Sequence, residues 1–272
     1  MRVSRIGTYA SLVLASLVMV VPLLVILMAS LKSDDEFRAD GPLDPPRNWL
    51  NPANFVTALT DGNMIGAFVN TTIILVFSCT GTILIGSMAA YALDRFRFRL
   101  RGLVVLLFLV ATLVPSVTTQ VATFQVVNSL GLFNTRAAAI LLYMGTDIVS
   151  IYIFLQFLRS IPRELDEAAA LDGASRLTIY WRIIFPLLRP ATVTVVIIKG
   201  IYIYNEFYVP FLYMPSRDLG VVSTSLFRFL GPFSAKWEVI SAGVVIAVIP
   251  SLIVFLALQR WIYNGLTSGA TR

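Results

Sequence analysis

Long apolar runs constrain this chain more than any other feature. Crossing the roughly 30 Å hydrocarbon layer of a bilayer takes about twenty helical residues at 1.5 Å each. Six segments are long and apolar enough, at residues 8–31, 67–93, 102–124, 137–158, 190–213 and 238–260. Hydrophobic residues make up 57% of the 272-residue chain and charged residues 13%, so a soluble fold would need one core to absorb almost everything. The sequence predicts an all-α integral membrane protein with one domain over residues 1–272.

The positions of Lys and Arg predict which side of the membrane each loop faces. Six crossings put both chain ends on one side, and with the N-terminus inside, the inner segments carry thirteen Lys and Arg residues. The outer segments carry seven, and Lys199 lies within a span. Because Lys and Arg are retained in cytoplasmic loops, we expect a multi-pass plasma-membrane protein whose termini and loop 159–189 are cytoplasmic. The pI near 9.7 then reflects topology, and no nucleic-acid partner is expected.

The other connections are predicted to be simple. Residues 8–31 exceed the short apolar core of a cleaved signal peptide, so a retained first span is expected. The Pro-rich outer loop 32–66 is predicted to be a structured connector, since it is too small for a core of its own. In the inner loop Arg95–Arg101, Arg alternates with apolar residues, which suggests arginines that extend from the bilayer to its surface.

Residues needed for several kinds of chemistry are missing. The chain has no His and a single Cys, Cys79, which excludes His-ligated metals, His-based triads and an intrachain disulfide. It has no G-x-x-x-x-G-K-[ST] phosphate-binding loop. We therefore expect no enzyme activity, metal or cofactor in this chain, and if ATP powers it, a partner must bind the ATP and Mg²⁺.

The polar loop 159–189 has its own helical pattern. Pro162 suits a first helical position and Gly173 suits the left-handed position that ends a helix, which predicts about eleven helical residues between them. Ser175 can cap a second helix that runs through Trp181 towards Pro186. One face of the first helix combines Leu165, Ala168, Ala169 and Asp172, and another combines Glu164, Glu167 and Leu171. Periodicity alone favours an ordinary amphipathic surface helix, since such helices are common.

The spacing within this loop is more specific. Glu167-Ala168-Ala169 is followed after three residues by Gly173, after nine more by Ile183, and then by Phe185-Pro186. This resembles the EAA loop of the membrane subunits of ATP-binding-cassette (ABC) importers, with Phe185 where that family usually has Leu. The resemblance implies a type I ABC importer permease fold, with a cytoplasmic coupling helix between the fourth and fifth of six spans. The coupling residues it implies are Glu164, Glu167, Ala168, Ala169, Leu171, Asp172, Gly173, Ile183 and Pro186.

The resemblance continues outside the loop. Residues 70–102, 131–143, 204–207 and 265–272 are similar to segments of the second permease subunit of maltose-type carbohydrate importers, although Tyr204 stands where that family often has Trp. This implies that the chain passes a sugar or oligosaccharide. The partners implied are a second related permease, two copies of a cassette ATPase and an extracytoplasmic sugar-binding protein. The outer connection Tyr213–Trp237 is expected to contact that binding protein.

Polar residues inside spans are costly and point to function. We predict a translocation pathway at Lys199, Tyr202, Asn205, Glu206 and Tyr208, with Asp147 as a further polar candidate. The alternative is that these groups form hydrogen bonds or ion pairs between helices. Asn70 starts a glycosylation sequon, but it lies at the membrane surface, where glycosylation is not expected.

Three other functions are alternatives to a sugar permease of an ABC importer. The chain could be a permease for a solute other than sugar, a secondary transporter driven by an ion gradient, or an intramembrane enzyme. Secondary transporters often have paired broken helices in repeated halves, and no duplication is visible here. An enzyme would need a catalytic constellation. Neither a secondary transporter nor an enzyme requires a docking helix in loop 159–189, so the loop favours an ABC importer subunit.

Overall fold

The computed structural model describes residues 2–145, 147–231 and 235–270. Within them the chain is helical, with one isolated β-bridge between Leu230 and Ala235. The α-helices are α1 Arg2–Leu31, α2 Asp34–Ala39, α3 Ala53–Thr60, α4 Met64–Arg95, α5 Arg101–Leu113, α6 Ser116–Ser129, α7 Arg136–Met144, α8 Ile148–Leu158, α9 Glu164–Leu171, α10 Arg176–Ile179, α11 Phe185–Leu187, α12 Arg189–Asn205, α13 Tyr208–Tyr213, α14 Val222–Ser225 and α15 Trp237–Ala270. A π-helical turn covers Tyr180–Ile184, and 3₁₀ turns cover Arg217–Leu219 and Leu226–Phe229.

Three helical stretches are long and apolar enough to cross a membrane, namely Gly7–Leu31, Met64–Arg95 and Trp237–Ala257. Three further candidates are pairs of helices that bend at a short break. The bend is 105° between α5 and α6, 43° between α7 and α8, and 70° between the stretch Arg176–Leu187 and α12. By length and composition the described residues therefore provide three spans, or up to six if each bent pair is one span.

The breaks differ from the continuous spans expected from the sequence, and the first has a clear local cause. The expected span 102–124 falls on α5 and α6, which are separated at Pro115, because proline lacks a backbone N–H and forces the preceding residue out of helix. Val114 accordingly has an extended ψ of 115°. The expected span 137–158 breaks after Gly145. The expected span 190–213 breaks at Glu206, which has an extended ψ of 123°.

The chain forms two compact units. The first contains the residues up to Phe68 together with Val221–Gln259. In this unit the connector between α1 and α3 is ordered, as predicted, because its polar groups bond to one another. The buried Asn54 amide donates to the carbonyls of Ser30 and Lys32 at 2.9 and 2.7 Å. Ser33 and Glu36 form a capping box at the start of α2, and the backbone N–H of Ser33 lowers the pKa of the Glu36 carboxyl.

The second unit contains Val69–Gly220 together with the residues from Arg260 onwards. Its main apolar core joins the second half of α4 to α8, the π-helical turn and the start of α12. Tyr180, Phe154, Leu158 and Ile184 are among its largest fully buried side chains. The loop that follows α8 is therefore packed directly on the core of this unit.

Candidate functional site

The first helix of the loop, α9, ends as the sequence predicts but starts later. It has eight residues, Glu164–Leu171, instead of about eleven, and Pro162 lies before the cap residue Arg163 instead of at the first helical position. Gly173 has a φ of +82°. The N–H of Ala174 donates to Ala169 at 3.0 Å and that of Gly173 to Ala170 at 3.1 Å. This is a Schellman ending, so Gly173 sets the direction of the chain after α9.

The second helical stretch of the loop is capped as expected. The Ser175 hydroxyl accepts a hydrogen bond from the backbone N–H of Thr178 at 3.2 Å. The helix then widens into the π turn before Pro186, where the N–H of Phe185 bonds to the carbonyl of Tyr180 five residues back. Since proline cannot donate to the residue four back and its ring crowds that carbonyl, the wider turn lets the helix continue to Leu187.

The predicted coupling residues separate into two groups. Ala169 and Ile183 are partly buried and pack against the core of the second unit. The others are exposed, namely Glu164, Glu167, Ala168, Leu171, Asp172, Gly173 and Pro186. Leu171 is 90% exposed, and Leu177 on the following helix is 60% exposed. The tip of the loop therefore presents two leucines beside the acidic side chains of α9.

The face of α9 that meets the core matches neither of the two groups of residues that helical spacing defines. Leu165, which spacing groups with Ala169, is 43% exposed. The inward face instead combines Ala169 with Asp166, which the sequence analysis did not select. A carboxylate faces the core here because it has charged and hydroxyl partners at the end of α4.

Those partners form a compact ion-pair network, which we call the anchor network: Asp94, Arg95, Arg163 and Asp166. Arg95 Nη1 lies 2.9 Å from Asp94 Oδ2, and Arg95 Nε lies 3.1 Å from Asp166 Oδ2. The second contact is an ion pair without the alignment of a hydrogen bond. Arg95 Nη2 donates to the carbonyl of Ile161 at 3.0 Å, and Arg163 Nη2 donates to that of Asp94 at 2.7 Å. The Arg95 side chain is only 7% exposed, so it does not extend to the membrane surface as expected.

Aromatic and hydroxyl contacts add to the anchor network. Tyr91 donates to Asp166 Oδ1 at 3.3 Å, and its ring lies 5.3 Å from that of Tyr180. The hydroxyls of Tyr180 and Ser87 are 2.7 Å apart. The guanidinium of Arg176 lies 4.6 Å above the ring of Phe96. The end of α4 therefore holds both helices of the loop.

The polar residues predicted for the pathway have different environments. Lys199 Nζ lies 2.9 Å from Asp147 Oδ2, with side chains 12% and 16% exposed, and the Ser150 hydroxyl donates to the same carboxylate at 2.8 Å. Lys199 thus joins α12 to the start of α8, which corresponds to the ion-pair alternative. Both residues were predicted as polar candidates inside spans, but the ion pair between them was not predicted.

The remaining pathway candidates lie at the end of α12. Glu206 Oε1 accepts the N–H of Tyr208 at 2.7 Å, so this carboxylate caps α13. The Asn205 amide donates to Ile201 in its own helix at 2.8 Å. The Tyr202 and Tyr208 side chains are 51% and 45% exposed. Asn205 is exposed as well, and the two tyrosines present aromatic rings outwards.

Near Tyr202, sequence reasoning missed Tyr143. Its ring meets that of Tyr202 edge to face, with centroids 6.1 Å apart. Tyr143 is 4% exposed, and its hydroxyl has no hydrogen-bond partner among the described residues. Nothing in its sequence surroundings distinguishes it from an ordinary core tyrosine.

Part of the connection predicted to meet a binding protein is held by side chains of the second unit. The Asn70 amide donates to the carbonyls of Asp218 and Gly220 at 2.7 and 2.9 Å, and accepts from Arg136 Nε at 2.7 Å. The side chains of Asn134 and Ser216 also pair, at 2.6 Å. Asn70 is 2% exposed, which fits the expectation that its sequon is not used. Residues 232–234 of this connection lie outside the described residues.

Together, several membrane-length helices and a rigid two-helix loop fastened to one of them define a membrane-embedded transport subunit. The profile of the family described as "Binding-protein-dependent transport system inner membrane component" matches residues 82–268, about two thirds of the chain. The protein belongs to this family, which confirms the resemblance to ABC importer permeases.

Two curated relatives illustrate the family. The chain is 31% identical to the melibiose/raffinose/stachyose import permease protein MelC of Bacillus subtilis, covering 93% of this chain and 91% of that one. It is 32% identical to the probable starch degradation products transport system permease protein AmyC of Thermoanaerobacterium thermosulfurigenes, covering 97% and 96%. Both are thus related to this protein along almost their whole length.

A solved structure confirms the fold class. The crystal structure of a bacterial ABC transporter involved in the import of the acidic polysaccharide alginate contains a chain that matches with a TM-score of 0.83. The match covers 95% of this chain and 96% of that one, at 20% sequence identity. The all-helical permease fold expected from the sequence is therefore present.

Proposed function

We propose that this protein is the permease subunit of an ABC importer, and that it forms half of the translocation pathway for a sugar or oligosaccharide. The oligosaccharide permeases among its relatives support the solute class. The observation that carries the coupling role is the geometry of loop 159–189. Two short helices are fixed by a Schellman ending and the anchor network, while their tip is exposed. A rigid, exposed tip is what a separate ATPase subunit needs in order to move the permease.

The chemistry of the tip suits a groove on that ATPase. Glu164 and Glu167 are exposed carboxylates in the first turn of α9, where the helix dipole stabilises negative charge. They can accept charge-assisted hydrogen bonds from Arg or Lys of the partner. Leu171 and Leu177 add apolar surface. Burying this surface against the partner is favourable because it removes apolar groups from water. We assign ATP and Mg²⁺ to that partner, because the sequence of this chain has no phosphate-binding loop.

The loop is continuous with the proposed pathway. The second loop helix leads through Leu187 into α12, which carries Lys199 and Tyr202. Tyr202 and Tyr208 can cover the apolar face of a sugar ring, and their hydroxyls can bond to sugar hydroxyls. Lys199 is already neutralised by Asp147, so we assign it to helix packing beside the pathway.

The proposal that this protein is an ABC importer permease includes its assembly and its topology. The six apolar segments span the bilayer, with both termini and loop 159–189 on the cytoplasmic side. The partners are a second related permease, two copies of a cassette ATPase and an extracytoplasmic sugar-binding protein. The outer connection Tyr213–Trp237 contacts that binding protein. Support comes from the excess of Lys and Arg in the inner segments and from the binding-protein-dependent family.

Uptake in cells tests this function. A strain that lacks the chain should lose ATP-dependent uptake of one class of labelled oligosaccharide, with α-galactosides and maltooligosaccharides as first probes because of the relatives' names. Complementation with the wild-type chain should restore uptake, and affinity-tagged chain should co-purify with an ATPase. Uptake that persists without ATP and collapses with the proton or sodium gradient would indicate a secondary transporter instead.

A further inference from the structure

One helix joins the two loops to which the proposed function gives roles. The 32-residue helix α4 runs from Met64 to Arg95 without a break. Asn70 contacts the outer connection near one end, and Arg95 contacts loop 159–189 at the other. The two residues are 25 positions apart, which corresponds to about 38 Å at 1.5 Å per residue. All the contacts used in this inference lie within the second compact unit.

The bonds of Asn70 all leave its own helix. Its amide nitrogen donates to Asp218 and Gly220, and its oxygen accepts from Arg136 at the start of α7. Asn70 is 2% exposed and Gly220 is buried, so an Asn70 amide or a Gly220 carbonyl that lost its partner would stay buried and unsatisfied, which is costly. Segment 217–220 therefore cannot move independently of this end of α4 without breaking the buried hydrogen bond between Asn70 and Gly220.

Arg95 makes the corresponding contacts at the other end. Its guanidinium holds the carbonyl of Ile161, which precedes α9, and the carboxylate of Asp166 within α9. Asp94 lies 2.9 Å away on the same helix and orients this guanidinium. An Arg with three separate contacts is fixed in position and direction, unlike a single flexible charge.

We propose that α4 is the rigid link that carries ATPase-driven movement of loop 159–189 to the outer connection at 217–220, with Asn70 and Arg95 as positioning residues. This inference rests on the proposed function. The helix has no internal break, so a displacement at one end is carried to the other. The buried contacts at both ends couple that displacement to the two loops. The outer connection would thus respond to the nucleotide state on the opposite side of the membrane.

Hydrogen–deuterium exchange on the co-purified complex in lipid nanodiscs tests this link. The probe is Mg-ATP with vanadate, compared with the nucleotide-free complex. In the wild type, trapping should change exchange in residues 161–172 and also in 217–220. In Asn70→Asp, the side chain still accepts from Arg136 but has no N–H for Asp218 and Gly220. Exchange at 217–220 should be at least about fivefold faster without nucleotide and should no longer respond to trapping, while 161–172 still responds.

Two further variants make the result decisive. Arg95→Lys should abolish the response at 217–220 and weaken that at 161–172, since an ammonium cannot keep the three contacts. Ser78→Ala is the matched control, because buried Ser78 in the middle of α4 bonds to Ile140 and to neither loop, and it should keep both responses. A wild-type response at 217–220 in Asn70→Asp or Arg95→Lys would overturn the link. A wild-type complex without any response at 161–172 would overturn the proposed function, and this inference with it.

Discussion

The guanidinium of Arg95 lies 3.1 Å from the carboxylate of Asp166 and so joins the end of α4 to the helix that begins the exposed loop. The two side chains are 7% and 16% exposed. Removing one partner from so sheltered a pair leaves a charge without compensation, which costs more than the pair itself contributes. The attachment of the loop therefore depends on residues that do not belong to its exposed tip.

Asp166→Asn tests this attachment. The amide keeps the shape of the side chain but not its charge, so Arg95 loses one of its two carboxylate partners. We expect a loss of stability of about 1–3 kcal/mol, at the lower end for buried pairs because Asp94 remains. The readouts are the melting temperature of the detergent-solubilised chain and the amount of co-purifying ATPase.

Glu167→Gln is the control for that variant. Glu167 is exposed on the same helix, so its replacement should leave the free energy of unfolding within about 0.5 kcal/mol of wild type, as is usual for surface sites, and the melting temperature nearly unchanged. It should still weaken stimulated ATPase activity, because a charged contact to the partner is lost. Equal melting temperatures for Asp166→Asn and wild type would show that the anchor network does not hold the loop.

The Lys199–Asp147 pair gives a test of packing against solute binding. Lys199→Met leaves Asp147 buried without its cation and should lower the melting temperature and uptake together. If the pair only joins α12 to α8, the double variant Lys199→Met/Asp147→Asn should recover most of both, since it removes the two charges together and the Asn can still cap α8 at Ser150. A double variant that regains stability but not uptake would instead show that Lys199 or Asp147 binds the solute.

The proposed topology predicts labelling by thiol reagents. In a Cys79→Ser background, single Cys replacements at Ser4, Ser175 and Ser268 should resist an impermeant maleimide in intact cells and react after permeabilisation. Ser175 is exposed at the loop tip, so it would react quickly if that tip faced outwards. Labelling of Ser175→Cys in intact cells would reverse the orientation of the loop.

Local rules predicted much of the loop from the sequence. The left-handed Gly173 and the Ser175 cap depend on a few neighbouring residues, and both are present. The same rules misplaced the helix start at Pro162, since Arg163 takes the cap position. Long apolar runs predicted the candidate spans, but hydropathy does not show the breaks at Pro115 and Glu206. These breaks depend on the missing N–H of proline and on the carboxylate that caps α13.

Contacts between distant residues could not be predicted from one sequence. Asn70 bonds to Asp218, 148 positions further on, and Arg95 pairs with Asp166 on another helix. Nothing in the local sequence of either residue identifies its partner. The inward position of Asp166 could not be predicted for the same reason, because this carboxylate is sheltered only through partners that the fold supplies.

The coupling role of the loop is tested most directly at Gly173. No atom lies within 4 Å of the position that a Cβ would occupy, so a substitution there acts through its φ of +82° alone. Val should cost about 1 kcal/mol or more and redirect the second loop helix. Asn tolerates this conformation better and is the matched control.

The decisive measurement is oligosaccharide uptake and binding-protein-stimulated ATP hydrolysis in the same vesicles, reconstituted with wild-type, Gly173→Val and Gly173→Asn complexes. We predict that Gly173→Val still inserts but loses ATPase association or hydrolyses ATP without matching uptake, and that Gly173→Asn is affected less. Wild-type values of both uptake and hydrolysis in Gly173→Val would show that the loop is an ordinary connector and would contradict the account.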